Sequence, residues 1–198
     1  MKIYFVRHAE STSDIEDRYG GDYDDPLTEK GREQAISLGL ELSDKGVETI
    51  YYSPRIRTKE TAFIANKHMN SNLVEVNNLR ERNNYGILTG LTKKEGKEKY
   101  PFEASKVKGN KMFHDILESE SYEDFKSRVE NCLKEILKQN KSDKIAIFSH
   151  GGFMFVLVRE LLKQGEVTYD DCAYIELEYK NNNFKVLDKV RCEFNKGV

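Results

Sequence analysis

Lys2-Ile3-Tyr4-Phe5-Val6-Arg7-His8 and Lys144-Ile145-Ala146-Ile147-Phe148-Ser149-His150 are the two stretches on which the fold turns. Each is a short apolar run, rich in β-branched or aromatic residues, that stops abruptly at a polar pair, as a strand buried on both faces does. Each therefore predicts a strand whose carboxyl end presents a histidine. Thr49 to Tyr52 reads as another strand, and 73–76 as a short one.

Helical patterns fall between them. Thr28 is placed to cap a helix carrying Ala35, Leu38 and Leu42 on one face. Ser53 is expected to cap, and Pro54 to open, a helix running to about His68. Ser121 and Asp124 form a capping box, followed by Tyr122, Phe125, Val129, Cys132, Ile136 and Leu137 at helical spacing. An apolar helix is expected from about Phe153 to Lys163. Ala173, Ile175 and Leu177 alternate with polar residues, and Asn181-Asn182-Asn183 turns the chain into Phe184 to Val190, which predicts a hairpin. Residues 9–27 read as a long loop and 77–120 as a polar, irregular excursion. The expected fold class is α/β: a three-layer α/β/α sandwich with a mainly parallel sheet, one domain over residues 1–198, and a small lid excursion at about 82–120. Ligands of such sheets bind outside the carboxyl ends of the strands, where Arg7, His8 and His150 fall.

Composition narrows the function classes. A chain of 198 residues, 33% charged and 38% hydrophobic, can close a core without disulfides or a structural metal. Lys and Arg number 32 against 34 Asp and Glu, with no stripe of one sign, which argues against nucleic-acid and membrane partners. Cys132, Cys172 and Cys192 are odd in number and far apart, so neither a disulfide framework nor a zinc site is expected. Reduced thiols fit best. The apolar run after Met1 is too short for a signal peptide, and Phe153 to Val158 falls far short of the roughly 20 residues that cross a bilayer. A cytoplasmic location, with no metal and no cofactor, is the expectation.

Two imidazoles, His8 and His150, should meet on one rim of the sheet, whereas His68 and His114 read as surface residues. Arg57 falls in the first turns of its helix with Thr61 on the same face, and a helix start favours an anion nearby.

In order and spacing, five segments resemble the histidine phosphatase superfamily, also called phosphoglycerate mutase-like. They are Arg7-His8-Ala9-Glu10-Ser11, Asp25-Pro26-Leu27-Thr28-Glu29-Lys30-Gly31, the Arg57 helix, Leu79-Arg80-Glu81 with Gly86-Ile87-Leu88-Thr89-Gly90, and Ser149-His150-Gly151-Gly152. The similarity runs from residue 2 to about 163. It implies that His8 is the nucleophile and that Arg7, Arg57 and His150, with the Gly151 backbone, hold the phosphoryl group. Glu81 would be the acid of the first step and the base of the second. Ser11, Asp14, Gly20, Gly21, Tyr85 and Lys93 would complete the substrate site. The chemistry needs these types: a phosphate dianion requires several fixed donors, guanidinium forks match its oxygens, and an alkoxide leaving group must be protonated.

Two departures stand out. Glu81 precedes Gly86 by five residues where the family has four, as though Asn83 or Asn84 were inserted; Asp24, Asp25 and Glu10 are the nearest substitutes. Asp14 replaces an asparagine that contacts phosphate in the family, so a carboxylate faces a dianion unless Arg18 pairs with it.

Three functions are weighed. The stretch from Glu118 to Val129 resembles the phosphatase branch, which makes a metal-independent hydrolase of a small phosphate monoester the first expectation. Glu81-Arg82 and Gly90-Leu91-Thr92-Lys93 resemble the mutases, but no arginine lies between Arg82 and Arg128 to grip a substrate carboxylate. A non-catalytic phospho-ligand module is the third. The lysines at 93, 94, 97, 99, 106, 108 and 111 are a solvated face or a lid attracting anions. Tyr85, Tyr100, Phe102, Met112 and Phe113 line a leaving-group pocket or form a satellite core. A monomer or a homodimer paired through a carboxyl-terminal edge strand is expected.

Overall fold

The computed structural model describes residues 1–108 and 115–195. Its strands are β1 (Lys2–Arg7), β2 (Thr49–Tyr52), β3 (Asn72–Glu75), β4 (Lys144–Ser149), β5 (Glu166–Lys180) and β6 (Asn183–Asn195). The helices are α1 (Thr12–Ile15), α2 (Glu29–Leu42), α3 (Ile56–Met69), α4 (Lys93–Lys99), α5 (Pro101–Lys106), α6 (Tyr122–Gln139) and α7 (Gly151–Val156). The strands form one sheet in the order β3-β2-β4-β1-β5-β6. The first four are parallel, and β5 and β6 run antiparallel at one side.

Strand alternation divides the core into two layers. Ile3 and Phe5 of β1 face a cluster with Phe125, Val129 and Ile136 of α6 and Phe153 of α7. Tyr4 and Val6 face the opposite cluster, with Ala35 and Leu38 of α2 and Ala62 and Ala65 of α3. Each large apolar side chain buried this way stabilises the fold by about 1.5–3 kcal/mol. Helices therefore cover both faces, which makes the expected α/β sandwich. Arg7 is in register with Ser149, so the next residue of each strand, His8 and His150, leaves the sheet side by side.

The close approach of α2 and α3 depends on a missing side chain. A Cβ at Gly39 would stand 2.5 Å from the carbonyl oxygen of Ala65 and 2.7 Å from its Cα. Gly39→Ala is expected to push the helices apart and lower stability by about 1–3 kcal/mol, read as a lower urea midpoint.

Two caps lie where the sequence puts them. Thr28 Oγ1 accepts from Gly31 N at 2.9 Å and Ser121 Oγ from Asp124 N at 3.1 Å. The start of α3 is a correction: the cap is Arg55, not Ser53, and the helix opens at Ile56 rather than Pro54. Ser53 Oγ is held at 2.8 Å by His150 Nε2, so it serves the site. The helix expected from Phe153 begins instead at Gly151, and Leu157–Leu161 continues it as a π-helical turn.

The hairpin strands are longer than alternation suggests, because β5 carries a bulge between Tyr169 and Tyr174 that breaks the period. The excursion is also more ordered than its composition implies. It holds single turns at Asn77–Leu79 and Gly86–Leu88, then α4, capped by a Thr92/Glu95 box, and α5.

Tyr85 joins Tyr19, Leu88 and Ile116 in a satellite core, while Tyr100 and Phe102 are exposed. Lys94, Lys97, Lys99 and Lys108 are exposed, and Lys106 pairs with Glu103. His68 is exposed; Lys111, Met112, Phe113 and His114 lie outside the described residues. Among the described residues no helix is long and apolar enough to cross a membrane.

Candidate active site

A cavity of about 300 Å³ opens at the carboxyl edge of β1 and β4. It is lined by Arg7, His8, Ser11, Asp14, Gly20, Gly21, Arg57, Glu81, Tyr85, Lys93 and Gly151, together with Tyr169, Arg82 and Asn84. His150 is fully buried and does not line it.

His8 is 5% exposed and its Nδ1 lies 2.8 Å from the carbonyl oxygen of Ala9. A carbonyl only accepts, so Nδ1 carries the proton and Nε2 keeps its lone pair. Burial, then the guanidiniums of Arg7 and Arg57, hold this imidazole well below its usual pKa. It is therefore neutral, with a lone pair to offer, well into the acid range.

Arg57 is the hub. Its Nε donates to His8 Nε2 at 3.1 Å, Nη2 to His150 Nδ1 at 3.2 Å and to Gly21 O at 2.8 Å, and Nη1 to Asp25 Oδ1 at 2.7 Å and to Tyr23 O. Because arginine cannot accept, His150 Nδ1 is the acceptor, and its protonated Nε2 donates to Ser53 Oγ. His150 thus sits behind Arg57 and orients it. Thr61 ties this helix to β1: its Oγ1 donates to Arg57 O at 2.6 Å and accepts from Ala9 N at 3.1 Å.

Arg7 approaches from the other side. Its Nη1 donates to Asp171 Oδ1, and its guanidinium stacks 5.3 Å from the centre of the Tyr169 ring. Its Nε is buried and has no hydrogen-bond partner among the described residues. A guanidinium N–H in that position can donate to an anion that enters the cavity.

Glu81 reaches the same cavity despite the longer interval to Gly86. The extra residue is absorbed by a turn in which Asn83 Oδ1 accepts from Gly86 N at 3.1 Å and Thr89 Oγ1 at 2.8 Å. The Glu81 carboxylate accepts from Gly152 N at 2.9 Å and Arg82 N at 2.8 Å. Burial raises its pKa above the ordinary carboxylate value, against the opposing pull of those N–H groups and of Arg57 and Arg128.

The three substitutes lie elsewhere. Asp25 holds Arg57, Asp24 accepts from Ile56 N at 2.7 Å, and Glu10 is bonded to Thr28 and Lys30.

Asp14 is not relieved by Arg18, whose guanidinium goes to Glu16 and to Gly90 O. Instead Asp14 Oδ2 accepts from Ser11 N and Ser11 Oγ, both at 2.9 Å, and closes the first turn of α1. Lys93 sits 3.9 Å from the Tyr19 ring centre and 5.2 Å from that of Tyr85, whose hydroxyl pKa is pushed by burial up to about 12. Glycine is required at Gly151, where a Cβ would lie 2.1 Å from the Tyr169 hydroxyl.

Two site residues, Tyr169 and Asp171, escaped the sequence reading, and Asp25 entered it only as a substitute acid, not as the partner of Arg57. Asp25 lies inside a quoted motif but carries no spacing signal toward Arg57. Tyr169 and Asp171 belong to the bulged part of β5, where alternation fails.

A neutral imidazole beside two guanidiniums, lining one cavity with a buried carboxyl group of raised pKa, is an arrangement that can take up a phosphoryl group. The sequence matches the histidine phosphatase superfamily (branch 1) over residues 3–190. The chain belongs to that superfamily and is a phosphatase. It is 31% identical over 150 residues to "Phosphoserine phosphatase 1" of Hydrogenobacter thermophilus, spanning 76% of this chain and 71% of that one. It is 29% identical over 192 residues to the Escherichia coli O1:K1 / APEC protein named "Probable phosphoglycerate mutase GpmB", spanning 92% and 86%. The solved alpha-ribazole phosphatase from Shigella flexneri has the same fold, with a TM-score of 0.82 at 21% identity, over 100% of this chain and 99% of that one.

Proposed function

We propose that this protein hydrolyses a small phosphorylated metabolite without a metal, through a phosphohistidine on His8. The observation that carries the proposal is the state of His8: Nδ1 is tied to Ala9 O, so the lone pair is on Nε2, which sits at the cavity and accepts from Arg57 Nε, a contact that gives way when phosphorus arrives. That lone pair attacks phosphorus, the P–O ester bond breaks, and the departing alkoxide takes the proton of Glu81. The Glu81 carboxylate then removes a proton from water as that water attacks phosphorus; the P–N bond breaks, and phosphate leaves. Arg7 and Arg57 hold the equatorial oxygens through both steps. Ser11, Asp14, Gly20, Gly21, Tyr85, Lys93 and Gly151 line the rest of the substrate cavity. A cavity of about 300 Å³ suits a metabolite rather than a macromolecule, and a relative named phosphoserine phosphatase supports that size of substrate.

The assay is release of phosphate from p-nitrophenyl phosphate and from an alkyl phosphate in excess chelator. Interconversion of phosphoglycerates primed by a bisphosphate would mark a mutase instead, and tight phosphate binding with no turnover a binding module. Glu81→Gln should cut kcat/KM, which reports the steps up to departure of the alcohol, by about 10²-fold or more on the alkyl ester, and far less on the nitrophenyl ester, whose leaving group needs no proton. Because Glu81 must start protonated, kcat/KM for the alkyl ester should fall as pH rises through its elevated pKa. Equal losses on both esters would remove Glu81 from the proton-transfer role.

A further inference from the structure

Glu81 sits in a stretch without strand or helix, where backbone carbonyls have no ladder partner and must be satisfied otherwise. One side chain on a distant helix satisfies them. Arg128 of α6 donates from Nη1 to Asn78 O at 2.9 Å and Arg80 O at 2.8 Å, and from Nη2 to Glu81 O at 3.2 Å. The same guanidinium is gripped by both oxygens of Glu120, Nε to Oε1 at 2.8 Å and Nη2 to Oε2 at 2.7 Å. Glu120 is itself fixed through its backbone: its carbonyl accepts from Arg82 Nε at 2.8 Å and Nη2 at 2.7 Å, and its N–H donates to Asn83 O at 2.8 Å.

Neither Arg128 nor Glu120 lines the cavity. Their side chains are only 10% and 16% exposed, so the pair is shielded from the screening that weakens surface ion pairs. Both ends of the excursion converge on it, Arg82 and Asn83 at one side and Glu120 at the other.

From this geometry we infer that Arg128 and Glu120 are positioning residues that hold the Glu81 carboxyl group at the distance proton transfer requires. Lysine could not take the place of Arg128, since a single ammonium cannot meet three carbonyls and two carboxylate oxygens from a planar fork. The inference rests on Glu81 being the proton donor proposed above. A displacement near 1 Å of a catalytic group costs about 10²-fold, so the latch has a measurable effect on rate while touching no reacting atom.

Arg128→Met is expected to lower kcat/KM on an alkyl phosphate about 10- to 100-fold and to leave kcat/KM on p-nitrophenyl phosphate within about 3-fold. Its KM should be little changed, because the phosphoryl donors Arg7 and Arg57 are untouched. Removing this positive charge should also move the alkaline limb of the alkyl ester profile to higher pH, since Arg128 is one of the charges that favours the Glu81 carboxylate. Glu120→Gln, which preserves shape and the backbone contacts to Arg82 and Asn83, should show a weaker form of the same selectivity and serves if Arg128→Met does not fold. Equal losses on both esters with an unmoved limb, or unchanged turnover of both, would overturn the inference. Glu81→Gln run alongside separates the two failures. If it is selective for the alkyl ester and the latch variants are not, only the latch falls; if it is unselective, the acid assignment falls and the latch with it.

Discussion

Replacing His8 with alanine should reduce kcat/KM on any phosphate ester by roughly four to six orders of magnitude, the scale of loss when a covalent nucleophile is deleted. The expectation follows from what would remain. Arg7, Arg57 and Glu81 are anchored on Asp171, Asp25 and Gly152 respectively, not on the His8 ring alone. The variant should therefore fold, bind phosphate and fail to turn it over. Acid quenching destroys a phosphohistidine, so the intermediate is sought in the wild-type protein by rapid mixing with a labelled ester, quenching in alkali and mass spectrometry of the peptide containing His8. An adduct on that peptide, absent from His8→Ala, is the expected result. Substantial turnover by His8→Ala would show that phosphorus is attacked by something else.

The second large effect is expected at Arg57. Its guanidinium meets both imidazoles, Asp25 and two carbonyls at once and is only 3% exposed. Arg57→Lys keeps a positive charge but none of the fork, so a loss of about 10²–10³-fold in kcat is expected, the scale of a lost donor to developing charge. Asp25→Asn should lose less, because the amide oxygen can still accept from Nη1 while the charge that steadies the guanidinium is gone. The two losses should not add: once Arg57 is lysine, Asp25 has no guanidinium to orient and keeps only its bond from Ser13 N, whose acceptor an asparagine can retain, so the double variant should resemble Arg57→Lys. Steady-state kinetics of the four proteins test this directly. Additive losses would mean that Asp25 acts on something other than Arg57.

The sheet was legible because its strands are sharply bounded. Four apolar residues between Lys2 and Arg7, and four between Lys144 and Ser149, leave little choice but a buried strand. Helix α6 was legible because its cap and its apolar spacing agree. The start of α3 was misplaced for a physical reason: Ser53 has the chemistry of a cap, but a buried imidazole from a strand nearly a hundred residues away takes its hydroxyl. Helices α4 and α5 were missed because two short helices with eight of their thirteen residues charged show no apolar stripe to read. Asp171 and Tyr169 were missed because a bulge shifts the side-chain alternation that would have marked a strand there.

Local chemistry is written in the order of residues: where a strand stops, which side chain opens a helix, and that the residues His8, Arg57, Glu81 and His150 are of the types phosphoryl transfer needs. These depend on neighbours a few positions apart, so they can be read without a fold. Which nitrogen of His8 carries the lone pair, that His150 stands behind Arg57 rather than on the cavity wall, and that Arg128 holds the backbone of Glu81 came only with the folded chain. Each is a matter of hydrogen bonds between residues tens of positions apart, and the partners of a buried polar group are set by what packing brings within reach, not by what precedes it along the chain.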